Sequence, residues 1–214
     1  MVPKTGIDWK FLRKFRELII SEIKKGKSFY IIVGGGTTAR NYIEAADKAL
    51  SINDEDRDWL GIHSTRLNAH LLRTIFREVA HPKIIKDPME TFKTNKKIII
   101  GSGWKPGWST DYVAAMIAEK YKVKTIINLS NIDYVYDSDP KKNVNALKFE
   151  KIQWKNFRKI VGSKWKPGMN APFDPIASKK GEALGLEVII MNGKNLDILK
   201  KYFSKGKIIG TKIS

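Results

Sequence analysis

Apolar and polar positions along this chain follow two periods. Residues 9–25 place Phe11, Leu12, Phe15, Leu18, Ile19 and Ile23 on one helical face, with Asp8 as cap and Gly26 as stop. The apolar run 29–33 reads as a strand, and three glycines then lead into a helix-forming stretch, 38–50. Residues 51–58 are polar, a loop or the beginning of a helix. Residues 59–79 predict a long helix carrying Leu60, Ile62, Leu67, Leu71, Leu72, Ile75 and Phe76. Strands are expected at 82–85, 97–100 and 125–129, a loop at 101–109, and a helix at 110–121 that buries Val113, Ala114, Met116, Ile117 and Ala118. After Asp139-Pro140 the pattern loosens through a strand at 148–152 and a Gly- and Pro-containing loop at 162–175. A helix at 176–184, a buried strand at 187–191, a helix at 195–203 and a closing strand at 208–213 follow.

Short apolar strands alternating with amphipathic helices predict an α/β fold: a three-layer sandwich with a mostly parallel sheet and helices on both faces. Ligands of such sheets sit at the carboxyl ends of strands, where the chemistry-bearing loops are expected. The first is Val33-Gly34-Gly35-Gly36-Thr37-Thr38-Ala39-Arg40. Its glycines clear the space above a strand-to-helix turn, the helix N-terminus attracts an anion, and Arg40 lies one turn inside, in reach of a phosphate. A tight turn without a ligand is the plainer reading.

A second strand-to-helix connection runs from Gly101 through Ser102, Gly103, Trp104, Lys105, Pro106, Gly107, Trp108, Ser109 and Thr110 to Asp111. Ser109 suits a helix cap and the N–H groups after it suit an anion. Third, Ser130, Asn131, Asp133, Tyr136 and Asp139 follow a strand, as groups for a base, a ribose or a metal-bound phosphate, or as an acidic turn. Fourth, Asp174-Pro175 has the form of an N-cap with proline at the first helical position. The string Trp-Lys-Pro-Gly occurs at 104–107 and at 165–168 without a longer repeat around it.

Composition narrows the classes. With 214 residues the chain can bury a sizeable core, and no run of eighteen apolar residues suggests a membrane span. Residues 1–10 carry no apolar signal segment, so a cytoplasmic location is expected. Zero cysteines exclude thiolate chemistry, and three scattered histidines offer no metal-ligand pattern. The formal net charge of +18 suits phosphate-bearing ligands, but its lysines are dispersed, and an RNA-binding role rests on that charge alone.

Taken in order, the motifs resemble the uridylate (UMP) kinases of the amino-acid-kinase superfamily, the archaeal type above all. The resemblance rests on residues 33–44, Asp58 with Gly61-Ile62, Thr65-Arg66-Leu67-Asn68-Ala69, Pro106-Gly107 with Ser109-Thr110-Asp111, residues 131–136 with Asp139-Pro140, Asp174-Pro175 with Ala177, and Gly210-Thr211. It implies one domain, 1–214, with an acceptor-binding part at about 1–122 and an ATP-binding part at about 123–214. It implies that Gly35, Asp58, Trp104, Lys105, Pro106, Gly107, Trp108, Ser109 and Thr110 hold UMP, with Asp58 on the ribose and Ser109-Thr110 on the phosphate. Gly36, Arg40, Ser130, Asn131, Tyr136 and Asp139 are the residues implied for ATP. Asp174 is implied to orient a catalytic lysine. Mg²⁺ is expected with ATP and no protein metal site, and a homo-oligomer, a hexamer built from dimers, is the implied assembly.

The resemblance also has gaps. Members of the family begin with a strand bearing a lysine and a Gly-Gly-Ser turn, whereas this sequence opens at Val2-Pro3 beyond them. The expectation is therefore a fold with its first strand missing and reduced activity, from an internal start, a truncation or a paralogue that binds without transferring. Tyr134 stands where a glycine is usual, and Trp104 and Trp108 are bulky for an acceptor loop. Open alternatives are another phosphotransferase of this fold, acting on isopentenyl phosphate, carbamate or an amino acid, and a non-catalytic nucleotide- or oxyanion-binding relative.

Overall fold

The computed structural model describes residues 6–140, 142–165, 169 and 171–214. The opening Val2-Pro3 and residues 166–168 of the second Trp-Lys-Pro-Gly string lie outside the described residues. The chain divides into two compact units, Met1–Ile117 with Lys166–Met169, and Ala118–Trp165 with Asn170–Ser214.

The first unit begins with α1 (Trp9–Lys24), where Asp8 accepts the Phe11 N–H at 2.9 Å and Leu12, Phe15 and Ile19 are buried. β1 (Phe29–Ile32) pairs in parallel with β2 (Ile98–Gly101), register Phe29 with Ile98 through Ile32 with Gly101. All four β2 residues are buried, as expected of a continuous apolar run flanked on both sides. On its other side, among the described residues, β2 meets isolated bridges, Ala80 with Ile98 and Ile85 with Gly101, so the strand expected at 82–85 does not form. Pro82 has no N–H to donate, and the His81 ring Nδ1 accepts the Lys83 N–H at 3.2 Å, turning the chain between the two bridges.

α2 (Gly36–Ala49) starts two residues before the expected Thr38. α3 spans Asp54–Ile75 rather than 59–79. Asn53 caps it by accepting the Asp56 N–H at 2.8 Å, and Asp54, Glu55 and Asp56 complement the dipole, so the polar stretch is the helix start. α3 stops at Ile75, and the chain turns through Val79 N–H to Phe76 O, 2.9 Å. Phe76 is buried and meets Phe15 edge-on, ring centroids 6.1 Å apart. α4 (Thr110–Lys120) follows the loop after β2 and buries Val113, Ala115, Ile117 and Ala118.

In the second unit the sheet order is β3 (Thr125–Ser130), β7 (Glu187–Asn192), β8 (Thr211–Ile213), β6 (Lys151–Ile152). β3–β7 and β6–β8 are parallel and β7–β8 antiparallel. The segment expected as one strand at 148–152 is two: β5 (Lys148–Phe149) pairs with β4 (Val135–Tyr136) in a separate hairpin, and β6 joins the sheet. The switch occurs at Glu150, whose carbonyl accepts the Lys212 N–H at 3.0 Å.

α5 (Trp154–Val161) is an additional helix, burying Trp154, Phe157 and Val161; the Trp154 indole N–H donates to Leu186 O at 2.8 Å. α6 (Pro175–Ala183) and α7 (Leu196–Lys205) complete the set. β8 begins at Thr211 rather than 208. The residue before it, Gly210, has φ 150° and lies so close to β7 that a Cβ would collide with the Ile190 carbonyl. The fold is mixed α/β, dominated by parallel strand pairs. No helix among the described residues is long and apolar enough to cross a membrane.

Candidate functional site

The first candidate loop leaves β1 through buried Val33, whose N–H donates to Gly101 O at 2.9 Å. Among the described residues no side chain caps α2, whose first backbone N–H groups lack intrahelical partners. Gly35 sits where a Cβ would lie 2.5 Å from that of Ala39 and 3.4 Å from the Gly61 carbonyl, so the α2 N-terminus closes on α3 only without a side chain there. Arg40 is exposed; its Nη2 donates to Thr37 Oγ1 at 3.2 Å, which keeps the guanidinium at the N-terminal turn of α2. It lines a surface cavity with Thr37, Asn41 and Glu44.

The loop from β2 to α4 is fixed by its own cap and by α3. Ser109 Oγ accepts the Tyr112 N–H at 3.1 Å and the Ser109 carbonyl accepts Val113 N–H at 3.1 Å, the N-cap expected from sequence. Gly107 N–H donates to Asp58 Oδ2 at 2.7 Å, Gly103 N–H to Thr65 Oγ1 at 2.7 Å, and Arg66 Nη2 to the Trp104 carbonyl at 3.0 Å. A Cβ on Gly34 would lie 3.8 Å from Thr110 Oγ1, so the two strand-to-helix turns are neighbours. Asn68 Nδ2 donates to the carbonyls of both Gly34 and Gly35, each at 3.0 Å. Within this unit Gly35, Asp58 and residues 104–110 are thus assembled around α3, and Gly36 and Arg40 stand on the adjoining helix start.

Burial pushes the Asp58 carboxyl above the ordinary aspartate range; the Gly107 N–H opposes this and the Asp54 carboxylate adds to it. The loop is also aromatic. Trp104 and Trp108 have ring centroids 6.1 Å apart, Trp108 and Tyr112 4.2 Å, and the Lys105 ammonium lies 4.1 Å over the Trp104 ring. Thr65, Arg66, Asn68 and Tyr112 carry this geometry without having been assigned a role from sequence. The available signal was a polar pair, Thr65 and Asn68, at helical spacing between buried Ile62 and Leu72.

In the second unit, Ser130 ends β3 and its carbonyl accepts the Gly193 N–H at 2.8 Å. Asn131 is exposed beside it. Further on, Asp133 Oδ1 accepts Asn192 Nδ2 at 2.8 Å, and Val135 N–H donates to the buried Thr211 Oγ1 at 2.8 Å. Thr211 in turn donates to Phe149 O, which ties the β4–β5 hairpin to β8. Tyr136 lies opposite Lys148 in that hairpin. The Asp139 carbonyl accepts Lys142 N–H at 3.0 Å and Asn143 N–H at 2.9 Å at its turn. Tyr134 is not among the residues of positive φ; its ring lies 4.6 Å from the Lys148 ammonium, so it fills space rather than bending the chain.

Asp174 is buried and caps α6, Oδ1 accepting the Ala177 N–H at 2.6 Å. Its carbonyl accepts both the N–H and the Oγ of Ser178, each at 2.7 Å. The loop bearing Asp174 does not follow a strand, contrary to the expectation that every candidate loop sits at a strand's carboxyl end. It follows α5, and Asn128 Nδ2 of β3 holds its Pro172 carbonyl at 3.1 Å.

The sequence model of the amino acid kinase family matches residues 5–192. The chain is 37% identical over 198 residues to the uridylate kinase of Pyrococcus abyssi (strain GE5 / Orsay), covering 91% of this chain and 87% of that protein. It is 38% identical over 175 residues to the uridylate kinase of Thermococcus sibiricus (strain DSM 12597 / MM 739), covering 80% and 77%. The crystal structure of uridylate kinase from Archaeoglobus fulgidus matches with a TM-score of 0.82 at 32% identity, over 97% of this chain and 94% of that one. The UMP kinase of Bacillus anthracis shares the fold, with a TM-score of 0.76 at 21% identity over 98% and 88% of the two chains.

Proposed function

The chain belongs to the amino acid kinase family, and on that premise we propose that it is a UMP kinase, moving the γ-phosphoryl group of ATP onto UMP to give UDP. This is a step of pyrimidine nucleotide synthesis. The observation that carries the reading is the acceptor loop: its Gly107 N–H is hydrogen-bonded to a carboxylate of α3, Asp58, and the same loop ends at the Ser109-capped N-terminus of α4. A nucleoside monophosphate has a ribose that donates hydrogen bonds and a phosphate that accepts them. The loop supplies the complement of both. The relatives named uridylate kinase support the same acceptor.

In this reading Gly35, Asp58 and residues 104–110 hold UMP. Asp58 accepts from the ribose, and Ser109 and Thr110 grip the phosphate. Gly36 and Arg40, at the uncapped start of α2, meet the phosphates of the donor. In the second unit Ser130 and Asn131 meet ATP phosphates, while Tyr136 and Asp139 stand at the nucleoside end. Asp174, the buried cap of α6, would orient a lysine at the transferring group, a role for which no lysine of residues 1–214 is assigned. Phosphoryl transfer through a loose transition state asks the protein for alignment and charge neutralisation rather than covalent chemistry.

Among the described residues no three His, Asp or Glu side chains converge on a metal-sized space. Mg²⁺ is expected on the phosphates of bound ATP, as an ion that keeps several waters and takes one or two carboxylates. When bound, the ion would supply positive charge against that of the ATP phosphates.

The test is an acceptor screen with Mg-ATP and UMP, CMP, isopentenyl phosphate and carbamate. UDP formation with UMP far ahead of the others is the expected result. Turnover of isopentenyl phosphate or carbamate without UMP would assign another phosphotransferase. ATP and UMP binding without transfer to any acceptor would assign a binding relative.

A further inference from the structure

We infer that Thr65, Arg66 and Asn68 of α3 are positioning residues of the acceptor site, fixing the glycine turn and the acceptor loop to one helix. Its functional consequence rests on the acceptor reading above. On α3, positions 58, 61, 65 and 68 recur at intervals of three and four and form one stripe. Asp58 and Thr65 receive the N–H groups of Gly107 and Gly103, each at 2.7 Å, so both ends of residues 103–107 finish on that stripe. Thr65 Oγ1 donates its own proton to Ile62 O at 2.6 Å, which aims its lone pairs at the loop.

Arg66 holds the intervening Trp104 carbonyl at 3.0 Å. Its Nε is buried with no hydrogen-bond partner among the described residues, a cost that points to a reason for keeping an arginine there. Asn68 is buried and takes two consecutive carbonyls, Gly34 and Gly35. Those oxygens would repel a phosphate. Drawn onto Asn68 they are directed at α3, and the turn is left to present its N–H groups. None of the three side chains needs to touch the ligand. They act through the loops, and a misplacement of about 1 Å in such a loop can cost on the order of a hundredfold in rate.

The experiment compares the wild-type protein with Thr65→Val, Thr65→Ser and Arg66→Met, by titration with UMP and with ATP and by amide hydrogen exchange. The expected result is a UMP affinity about tenfold weaker in Thr65→Val, restored to within about threefold in Thr65→Ser, with ATP affinity unchanged. Arg66→Met should weaken UMP in the same direction, and it reads the proposal if Thr65→Val fails to fold. UMP affinity unchanged in both variants, or UMP and ATP affinity lost together, would overturn the inference. If the wild-type protein binds no UMP, the acceptor reading fails, while exchange still decides the positioning role. Faster exchange at residues 101–109 in Thr65→Val with β1 and β2 unchanged supports it, and unchanged exchange at 101–109 refutes it.

Discussion

The loop after β2 is held from behind by side chains of a single helix, Asp58, Thr65 and Arg66 of α3. The segment after β3 is held differently. One buried threonine, Thr211, anchors Val135, and much of the rest is tied within itself, Asp137 Oδ1 to Leu147 N–H at 3.0 Å and Asn143 Nδ2 to Ser138 Oγ at 3.0 Å, both exposed. Ties to a packed helix give a fixed shape, while exposed local ties open at low cost. A preformed loop selects one acceptor by shape. A self-tied hairpin can adjust around a nucleotide whose phosphates are its common part. The proposed division of labour follows from this contrast: acceptor on the rigid loop, donor nucleoside on the adjustable one.

The largest expected effect breaks the anchor of the adjustable side. Gly210→Ala places a Cβ into the Ile190 carbonyl at a backbone φ of 150°. The cost should be on the order of 3–5 kcal/mol by urea denaturation. Exchange should rise in β7 and β8 first. A stability change under about 1 kcal/mol would contradict the close approach.

Asp58→Asn comes next, because an amide oxygen still accepts Gly107 N–H but the charge is gone. UMP affinity should fall by about ten- to a hundredfold. The sign with pH follows from the raised carboxyl, whose main cause is burial. The ionised form is the acceptor, so wild-type UMP affinity falls as pH drops through that raised value. The variant should lose that dependence in titrations across the acid range.

Glu22 gives a smaller effect that bears on α1 alone. Buried at the end of α1, it takes Lys25 Nζ at 2.6 Å and also Lys27 Nζ. The Lys25 hydrogen bond first, and then that of Lys27, hold its carboxyl below the ordinary value of 4.5. A depressed carboxyl stabilises the fold above the unfolded value, and that contribution is lost as pH falls below about 4.5 and through the folded value. Glu22→Gln should cost about 1–2 kcal/mol near neutrality, discounted for its half-exposed lysines, and should flatten the acid limb of a stability–pH profile. The smallest effect is Tyr112→Leu, which removes the ring 4.2 Å from Trp108. About 1 kcal/mol in thermal unfolding and a shift in tryptophan emission are expected.

How much of this was legible in the sequence depends on which residues carried the signal. α1 was readable almost to the residue, because Asp8, the apolar spacing and Gly26 all agree. The start of α3 admitted two readings, a loop or a helix start, since Asp54-Glu55-Asp56 suit either until their place in a first turn is known. α5 hid because Trp154, Phe157 and Val161 are interleaved with Lys155, Arg158 and Lys159 over only eight residues. β4 and β5 are two residues each and exist through a long-range tie to Thr211. In the candidate site, the glycine turn and the Ser109 cap are local features and were readable as such. The roles of Thr65 and Asn68 were not, because a polar residue on a helix does not announce which distant carbonyl or N–H it meets.

A crystal structure of the protein with UMP decides whether the loop held by α3 is the UMP site. Ribose hydroxyls on Asp58 and the phosphate at the N-terminus of α4 beside Ser109 and Thr110 are the expected result. UMP bound elsewhere, with residues 103–110 empty, would contradict it.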